Sequence, residues 1–302
     1  MLHGTDPLTP RPFGSTGLQV TPLGLGAQWL GDPAVPEHEV EALLDAVQAA
    51  GINLIDTARS YGLSEQRLGR WLKSRRSAFV LSTKLGYDIA GEPDWTYGCV
   101  SRGVDEALHR LQTDWLDIVH LHSCPLAVLQ QGEVIRALQD AKQQGKIRCV
   151  AYSGENDALA FAIASGAFDS IQCSVNLLDQ HSLYAMLPEA QARGLGVLGK
   201  RPLANTVWHY ADEPARPDLQ VYWRRWQRLA PAIAGEAYDR AELALRFAAF
   251  ALPVHAVLVG TTRAARVADN VATLGKGPLP FALQQQIRMA YAAVGAEWPG
   301  LI

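Results

Sequence analysis

The chain has 302 residues, a formal net charge of −3 and a hydrophobic content of 48%. This length could hold two domains or a single α/β barrel, and the hydrophobic content is sufficient for a large core. Binding of a polyanion requires a basic stripe, and the sequence shows none, which argues against nucleic acid as a partner.

The opening residues and the cysteines suggest a cellular compartment. MLHGTDPLTPRPFG lacks the apolar core of a signal peptide. No later stretch has the roughly 18 uninterrupted apolar residues of a membrane span, so we expect a cytoplasmic protein that does not enter the membrane. The cysteines form no CxxC pair and fall in or beside predicted strands, which predicts reduced, buried thiols and no metal site. These cysteines are Cys99, Cys124, Cys149 and Cys173.

Apolar, β-rich runs alternate with helical patterns eight times along the chain. The predicted strands cover about 20–27, 53–58, 79–85, 117–123, 147–154, 170–176, 195–200 and 255–261. Ser64, Ser101 and Asp179 are predicted helix caps, and Gly51, Gly145, Gly166 and Gly194 stand where helices should end. Alternation of this kind indicates right-handed βαβ units and a parallel sheet. Eight units predict an α/β fold closed into a (β/α)8 TIM barrel.

A long segment at about 203–236 interrupts this alternation after the seventh predicted strand. Its aromatic residues are Trp208, Tyr210, Tyr222, Trp223 and Trp226. Loops at this end of a barrel usually build the binding site, but the same aromatics could form an extra helix packed on the barrel. Trp95, in the loop 88–97, has the same two alternatives: it could close a substrate pocket or cover the barrel edge.

Four polar residues stand at the ends of three successive predicted strands. Asp56 and Tyr61 lie in DTARSYG, Lys84 ends STK and His122 ends DIVHLH. An ammonium beside a phenol stabilises the phenolate, which makes the phenol a usable general acid, and a carboxylate would fix the ammonium in place. Such a set can reduce a carbonyl if a hydride is supplied.

Each of these residues also has a simpler interpretation. Tyr61 could be an exposed loop tyrosine, but it follows a strand on the functional face of the barrel. A lysine that ends an apolar strand would be costly without a partner such as Asp56. His122 could be a satisfied barrel histidine, and His120 shares its strand face because side chains two residues apart point the same way. We expect His120 to have a structural role inside the barrel.

Ordered motifs give the chain a resemblance to the aldo-keto reductase family. RPFGSTGLQVTPLGLG resembles the family's N-terminal hairpin, GINLIDTARSYGLSE its signature around the aspartate and tyrosine, LSTKLG its lysine strand and LDIVHLHSCP its histidine strand. The likeness continues to TTRAARVADNV and covers about nine tenths of the chain. It implies one barrel domain over 1–302, a hairpin that plugs the barrel floor, and the catalytic residues Asp56, Tyr61, Lys84 and His122.

The cofactor is expected to be NADPH or NADP+. None of the four polar residues can donate hydride, and no flavin or metal motif is evident, which leaves a nicotinamide. No GxGxxG follows the first strand, as the family binds the dinucleotide across the barrel mouth. Arg263 and Arg266 favour NADPH over NADH, because a guanidinium forms paired, charge-assisted hydrogen bonds with a phosphate dianion. The cofactor-binding residues implied by the resemblance are Gly26, Ala27, Ser153, Gln172, Lys200, Arg201, Leu203, Gly260, Thr261, Arg263, Arg266 and Asn270.

Two positions depart from the family pattern. Gly154 follows Ser153 where the family generally has asparagine, and Asn156 comes two places late. Lys200 stands where an aromatic ring often stacks on the nicotinamide, and we expect its ammonium to contact the pyrophosphate instead.

The expected activity is reduction of an aldehyde or ketone, with Trp29 and Trp95 contributing to an aromatic substrate pocket. One alternative is an NADPH-binding regulatory subunit with little turnover, because a fold does not fix a function. A second is a Schiff-base lyase using Lys84, which Asp56 argues against because a paired lysine stays protonated. A small carbonyl compound is the expected partner, and a monomer is the default.

Overall fold

The computed structural model describes residues 6–233 and 238–302. Eight parallel strands close into a barrel in chain order, and the last of them pairs with both the first and the seventh. A short antiparallel hairpin, β1 (Arg11–Pro12) and β2 (Gln19–Val20), precedes them. The barrel strands are β3 (Leu23–Gly26), β4 (Leu54–Asp56), β5 (Val80–Leu85), β6 (Leu116–His122), β7 (Ile147–Ser153), β8 (Ser170–Ser174), β9 (Gly196–Lys200) and β10 (Ala256–Val259). All eight strands of the predicted (β/α)8 barrel are therefore confirmed.

Helices lie between the barrel strands and after the last one. They are α1 (Glu37–Ala49), α2 (Ser64–Leu72), α3 (Tyr97–Leu111), α4 (Leu126–Gln131), α5 (Glu133–Gln143), α6 (Asn156–Ser165), α7 (His181–Ala185), α8 (Leu187–Ala192), α9 (Pro217–Leu229), α10 (Arg240–Ala249), α11 (Ala265–Gly275) and α12 (Phe281–Val294). In the described residues no helix has the length and apolarity needed to cross a bilayer.

Glycines end several helices as predicted, but the predicted caps are wrong. Gly51, Gly145, Gly166 and Gly194 all have positive φ, the conformation that glycine adopts without strain. Ser64 lies inside the first turn of α2, where its hydroxyl donates to the carbonyl of Ala27 rather than capping the helix. Ser101 lies inside α3, which is capped by Thr96, and Asp179 pairs with Asn176 before α7 begins.

The hairpin closes the floor of the barrel. The loop between β1 and β2 carries Phe13, which is fully buried in an apolar cluster that includes Leu54, Ile118 and Leu198. A Cβ at Gly196 would lie 2.5 Å from the Phe13 ring, so the glycine leaves room for this plug. The predicted hairpin and its location are both confirmed.

The barrel interior changes from apolar to polar between its floor and its mouth. Inward-facing positions alternate along each strand. Ile118 belongs to the apolar floor cluster, whereas His120 and His122 follow it at intervals of two on β6. On β5, Val80 is likewise followed by Ser82 and Lys84. The apolar floor stabilises the barrel, and the polar side chains collect near its mouth.

The segment after β9 contains a helix rather than a purely irregular loop. Within 203–233, a short 3-10 stretch at Ala204–His209 leads to α9. Trp208, Tyr222 and Trp226 are buried in the main core, which supports the interpretation of an extra helix packed on the barrel. The end of the predicted insertion, residues 234–236, lies outside the described residues.

Candidate active site

A buried ion pair joins the ends of β4 and β5. The ammonium of Lys84 donates to Asp56 Oδ2 at 2.5 Å and to the carbonyl oxygen of Thr57 at 2.8 Å. Burial lowers the pKa of Lys84. The Asp56 carboxylate and the Tyr61 phenol together raise this pKa by more than burial lowers it, so the pKa of Lys84 lies above its ordinary value. Lys84 therefore carries its positive charge inside the barrel mouth.

Tyr61 and His122 complete the cluster predicted at this mouth. The Lys84 ammonium lies 5.0 Å from the centre of the Tyr61 ring. The rings of Tyr61 and His122 meet edge to face, with 6.1 Å between their centroids. Burial and the nearby Lys84 charge lower the pKa of His122 to about 2, so this imidazole is neutral. The structure thus brings Asp56, Lys84, Tyr61 and His122 together.

Tyr87, which the sequence analysis did not select, also belongs to this cluster. Its hydroxyl lies 2.6 Å from Nδ1 of His122, and the two rings stack with their centroids 5.8 Å apart. Tyr87 comes three residues after Lys84, just beyond the end of β5. The sequence feature that could have indicated Tyr87 is its place two residues beyond the end of the strand that carries Lys84.

A network of neutral side chains hydrogen-bonds to the carboxylate of Asp56. Its Oδ1 accepts from Ser82 Oγ at 2.8 Å and from Gln172 Nε2 at 3.1 Å. Ser153 Oγ donates to Gln172 Oε1 at 3.1 Å, while Nε2 of His120 lies 3.1 Å from Ser82 Oγ. Ser153 and Gln172, which the resemblance implies bind the cofactor, are thus hydrogen-bonded to each other, and His120 lies within hydrogen-bond distance of Ser82 inside the barrel, as expected.

The structure shows what surrounds the residues at the two departures from the family pattern. A Cβ at Gly154 would lie 2.3 Å from the hydroxyl of Tyr152, so no larger residue fits there without movement. Asn156 exchanges two hydrogen bonds with the backbone of Gly300 and so holds the C-terminal segment. The ammonium of Lys200 lies 3.2 Å from the buried carboxylate of Glu155, a partner that the sequence analysis missed.

The predicted cofactor residues lie around the same end of the barrel. Gly26 ends β3 beside the Gly260 backbone, and a side chain at Gly26 would fill the space between them, with its Cβ 3.5 Å from Gly260 N. The nearby α11 has no side-chain cap, and the amides of Arg266 and Val267 in its first turn donate to the carbonyls of Arg263 and Ala264. Arg263 and Arg266 are exposed at this end of the helix.

The remaining predicted cofactor residues have other contacts. Arg201 donates to the carbonyl of Leu301 at 2.6 Å. The hydroxyl of Thr261 accepts from the backbone amide of Arg263 at 3.1 Å. Ala27 is buried and Leu203 is partly buried, both in segments that follow barrel strands, and Asn270 is partly buried on α11.

The two predicted substrate residues lie in different surroundings. Trp95 has a φ of +60° and its ring packs over Gly86 and, edge to face, against Tyr87 at 5.6 Å. Tyr87 in turn lies within hydrogen-bond distance of His122. Trp29 is 45% exposed and its ring lies against Gly260, a residue predicted to bind the cofactor.

The comparisons with known proteins agree with this geometry. A model of the aldo/keto reductase family matches residues 22–289. The chain belongs to the aldo/keto reductase family. It is therefore an oxidoreductase with a nicotinamide cofactor and a small-molecule substrate. In the described residues, no group of three or more His, Cys, Asp or Glu side chains is arranged to hold a metal ion.

Several relatives match this aldo-keto reductase over most of their length. It is 33% identical over 290 residues to L-galactose dehydrogenase of Arabidopsis thaliana, with 87% of each chain covered. It is 27% identical to D-threo-aldose 1-dehydrogenase of a Pseudomonas species, covering 85% of this chain and 90% of that protein. The solved structure of an aldo-keto reductase from Bacillus halodurans in its holo form is 27% identical, with a TM-score of 0.81 and 94% and 96% coverage of the two chains.

Proposed function

We propose that this protein is an NADPH-dependent reductase that converts an aldehyde or ketone to an alcohol, with Tyr61 as the general acid. The observation that carries the proposal is the cluster at the barrel mouth, in which Asp56 pairs with Lys84, Lys84 lies beside Tyr61 and His122 faces Tyr61. NADPH supplies the hydride when it is bound.

Each residue of the cluster has a distinct role in this proposal. Tyr61 donates its proton to the carbonyl oxygen, and the Lys84 charge stabilises the phenolate that remains. Asp56 holds Lys84 in place, since Ser82 and Gln172 in turn fix the carboxylate. Neutral His122 donates a hydrogen bond to the same carbonyl oxygen and stabilises the charge that develops there.

The preference for NADPH rests on the exposed arginines near the start of α11. Arg263 and Arg266 can form paired, charge-assisted hydrogen bonds with a ribose phosphate, which NADH lacks. The N-terminal end of α11 adds the positive partial charge of the helix dipole, which favours the same anion. Gly26 and Gly260 would let the cofactor approach the backbone closely.

The state of Lys84 opposes the Schiff-base alternative. Imine formation requires a neutral amine, and the pKa of Lys84 is raised above its ordinary value despite burial, because Asp56 and Tyr61 favour the ammonium. Lys84 therefore fits an electrostatic role better than a nucleophilic one.

The relatives suggest which compounds to test. Two of them are named as dehydrogenases of sugars, L-galactose and D-threo-aldoses. Aldoses therefore belong in a substrate panel beside aromatic and aliphatic aldehydes and ketones, and NADP+ reduction should be followed as well as NADPH oxidation.

The test is single-turnover oxidation of bound NADPH by this panel, followed at the absorbance of the reduced nicotinamide, in wild type and Tyr61→Phe. We expect decay with at least one compound and a rate lower by about 100-fold or more in Tyr61→Phe, the range for loss of a general acid, with NADPH binding retained. Unchanged decay in Tyr61→Phe would contradict the role of Tyr61. Tight NADPH binding without turnover on any compound would favour a regulatory subunit.

A further inference from the structure

His122 has a second aromatic partner whose hydroxyl points at its ring nitrogen. Tyr87 Oη lies 2.6 Å from His122 Nδ1 and 3.1 Å from Ser60 Oγ. The Tyr87 ring stacks on the imidazole at an interplanar angle of 27°, and Trp95 makes an edge-to-face contact with the same Tyr87 ring. Tyr87 is therefore held in place by rings as well as by hydrogen bonds.

The tautomer of His122 decides what this residue can do. Burial and the Lys84 charge lower its pKa to about 2, so the imidazole has only one N–H near neutral pH. A neutral imidazole donates from one nitrogen and accepts at the other. If the proton is on Nδ1, Nε2 can only accept. If the proton is on Nε2, that nitrogen can donate to a carbonyl oxygen.

The contacts of Tyr87 favour the second arrangement. An imidazole nitrogen is a stronger acceptor than a hydroxyl oxygen, and the His122 contact is the shorter of the two that Tyr87 makes. Burial raises the pKa of Tyr87, which keeps its proton on the oxygen. Ser60 can then donate to Tyr87, which gives a chain of donors directed from Ser60 through Tyr87 to His122. In the described part of the chain, no group hydrogen-bonds to Nε2 of His122.

We propose that Tyr87 is a positioning residue that donates to Nδ1 of His122 and so keeps the imidazole proton on Nε2, where it can meet the substrate oxygen. The inference rests on the proposed reductase function for its catalytic consequence. The tautomer itself exists without substrate and can be measured separately.

The first test is nitrogen-15 NMR of the imidazoles in wild type, Tyr87→Phe and Tyr97→Phe, with the His122 signals assigned from His122→Gln. Tyr97→Phe is the matched control, because it removes a tyrosine hydroxyl that donates to Asp140 at 2.8 Å on the outside of the barrel. We expect wild type and Tyr97→Phe to show His122 with Nε2 protonated and Nδ1 bare. Tyr87→Phe should show both tautomers in exchange.

The second test is steady-state kinetics of the same variants with a reactive carbonyl compound. Loss of one neutral hydrogen bond should lower kcat of Tyr87→Phe by about three- to tenfold, with KM and NADPH affinity close to wild type. Tyr97→Phe should leave kcat unchanged. An unaltered His122 tautomer in Tyr87→Phe would overturn the proposal even if kcat fell, because the hydroxyl would then act only on structure. If no carbonyl compound reacts, the proposed function fails while the NMR result still decides the tautomer.

Discussion

Asp56 and Lys84 form the single contact on which the site depends most. Both side chains are almost completely buried, so each charge has lost its water and relies on the other. We expect Asp56→Asn to lower the free energy of unfolding by roughly 3–5 kcal/mol, the range for a broken buried pair, because the buried Lys84 ammonium loses the negative charge that compensates it. Urea unfolding at neutral pH measures this change.

Asp105→Asn is the matched control for this prediction. Asp105 accepts from Lys146 at 2.6 Å, but its side chain is 54% exposed. An exposed pair contributes about 1 kcal/mol or less, so this variant should unfold close to wild type. Equal losses in the two variants would show that burial adds nothing to the Asp56 pair.

At the scale of residues, the sequence was informative where a side chain stands on a strand. Asp56, Lys84 and His122 could be predicted to converge because strand direction and the two-residue alternation fix where they point. Tyr87 and Glu155 lie just beyond strand ends, and their contacts depend on backbone turns that the sequence does not specify. The contact of Lys200 with Glu155 joins the end of β9 to the turn after β7, and neither segment alone indicates it.

The loop after β5 positions an aromatic wall beside the site. Gly86 has a φ of +133°, and a Cβ there would lie 2.1 Å from Cζ3 of Trp95. Gly86→Ala should therefore displace the Trp95 ring and the loop that carries it. We expect KM for a carbonyl substrate to rise by roughly tenfold, the range for a lost apolar contact in a pocket, with NADPH affinity unchanged. Steady-state kinetics and a fluorescence titration with NADPH check the two parts.

Gly91→Ala controls for backbone strain in the same loop. Gly91 has a φ of +81°, but the nearest atom to its added Cβ is a terminal nitrogen of Arg102 at 3.6 Å. The Gly91→Ala substitution therefore strains the backbone of the loop without displacing the Trp95 ring. A similar rise of KM in both variants would mean that loop strain, not the Trp95 ring, is responsible.

At the scale of elements, strands were easier to predict than helix starts. A short apolar run that is rich in β-branched residues and bounded by turn residues indicates a buried strand by its length and composition. The start of α3 depended instead on a cap, since Thr96 accepts from the amide of Cys99 and begins the helix before Ser101. Ser64 and Ser101 have the residue type of a cap, yet both lie inside helices, because residue type alone does not set the backbone angle.

At the scale of the whole molecule, buried titratable groups make stability depend on pH in opposite directions. Burial lowers the pKa of His120 to about 4, below the ordinary value of 6.5. The unfolded chain therefore binds a proton that the folded chain refuses between these values, and stability is lost as pH falls from about 6.5 to about 4. Burial and the Glu155 carboxylate raise the pKa of Asp179 to about 7, so this group has the opposite effect below pH 7.

Replacing His120 separates its contribution from that of Asp179. His120→Leu replaces the imidazole with an apolar side chain of similar size, and the hydroxyl of Ser82 can still donate to Asp56. Between pH 7.5 and pH 4.5 we expect this variant to lose less stability than wild type, by up to about 3 kcal/mol, since each pKa unit corresponds to about 1.4 kcal/mol. Urea unfolding at the two pH values measures the difference.

His109→Leu is the control, because it replaces an exposed histidine on α3, and it should lose as much stability as wild type over the same pH range. If His120→Leu and wild type lost equal stability on acidification, His120 would have to be protonated in the folded barrel, and a charge beside Ser82 would then act on the Asp56–Lys84 pair.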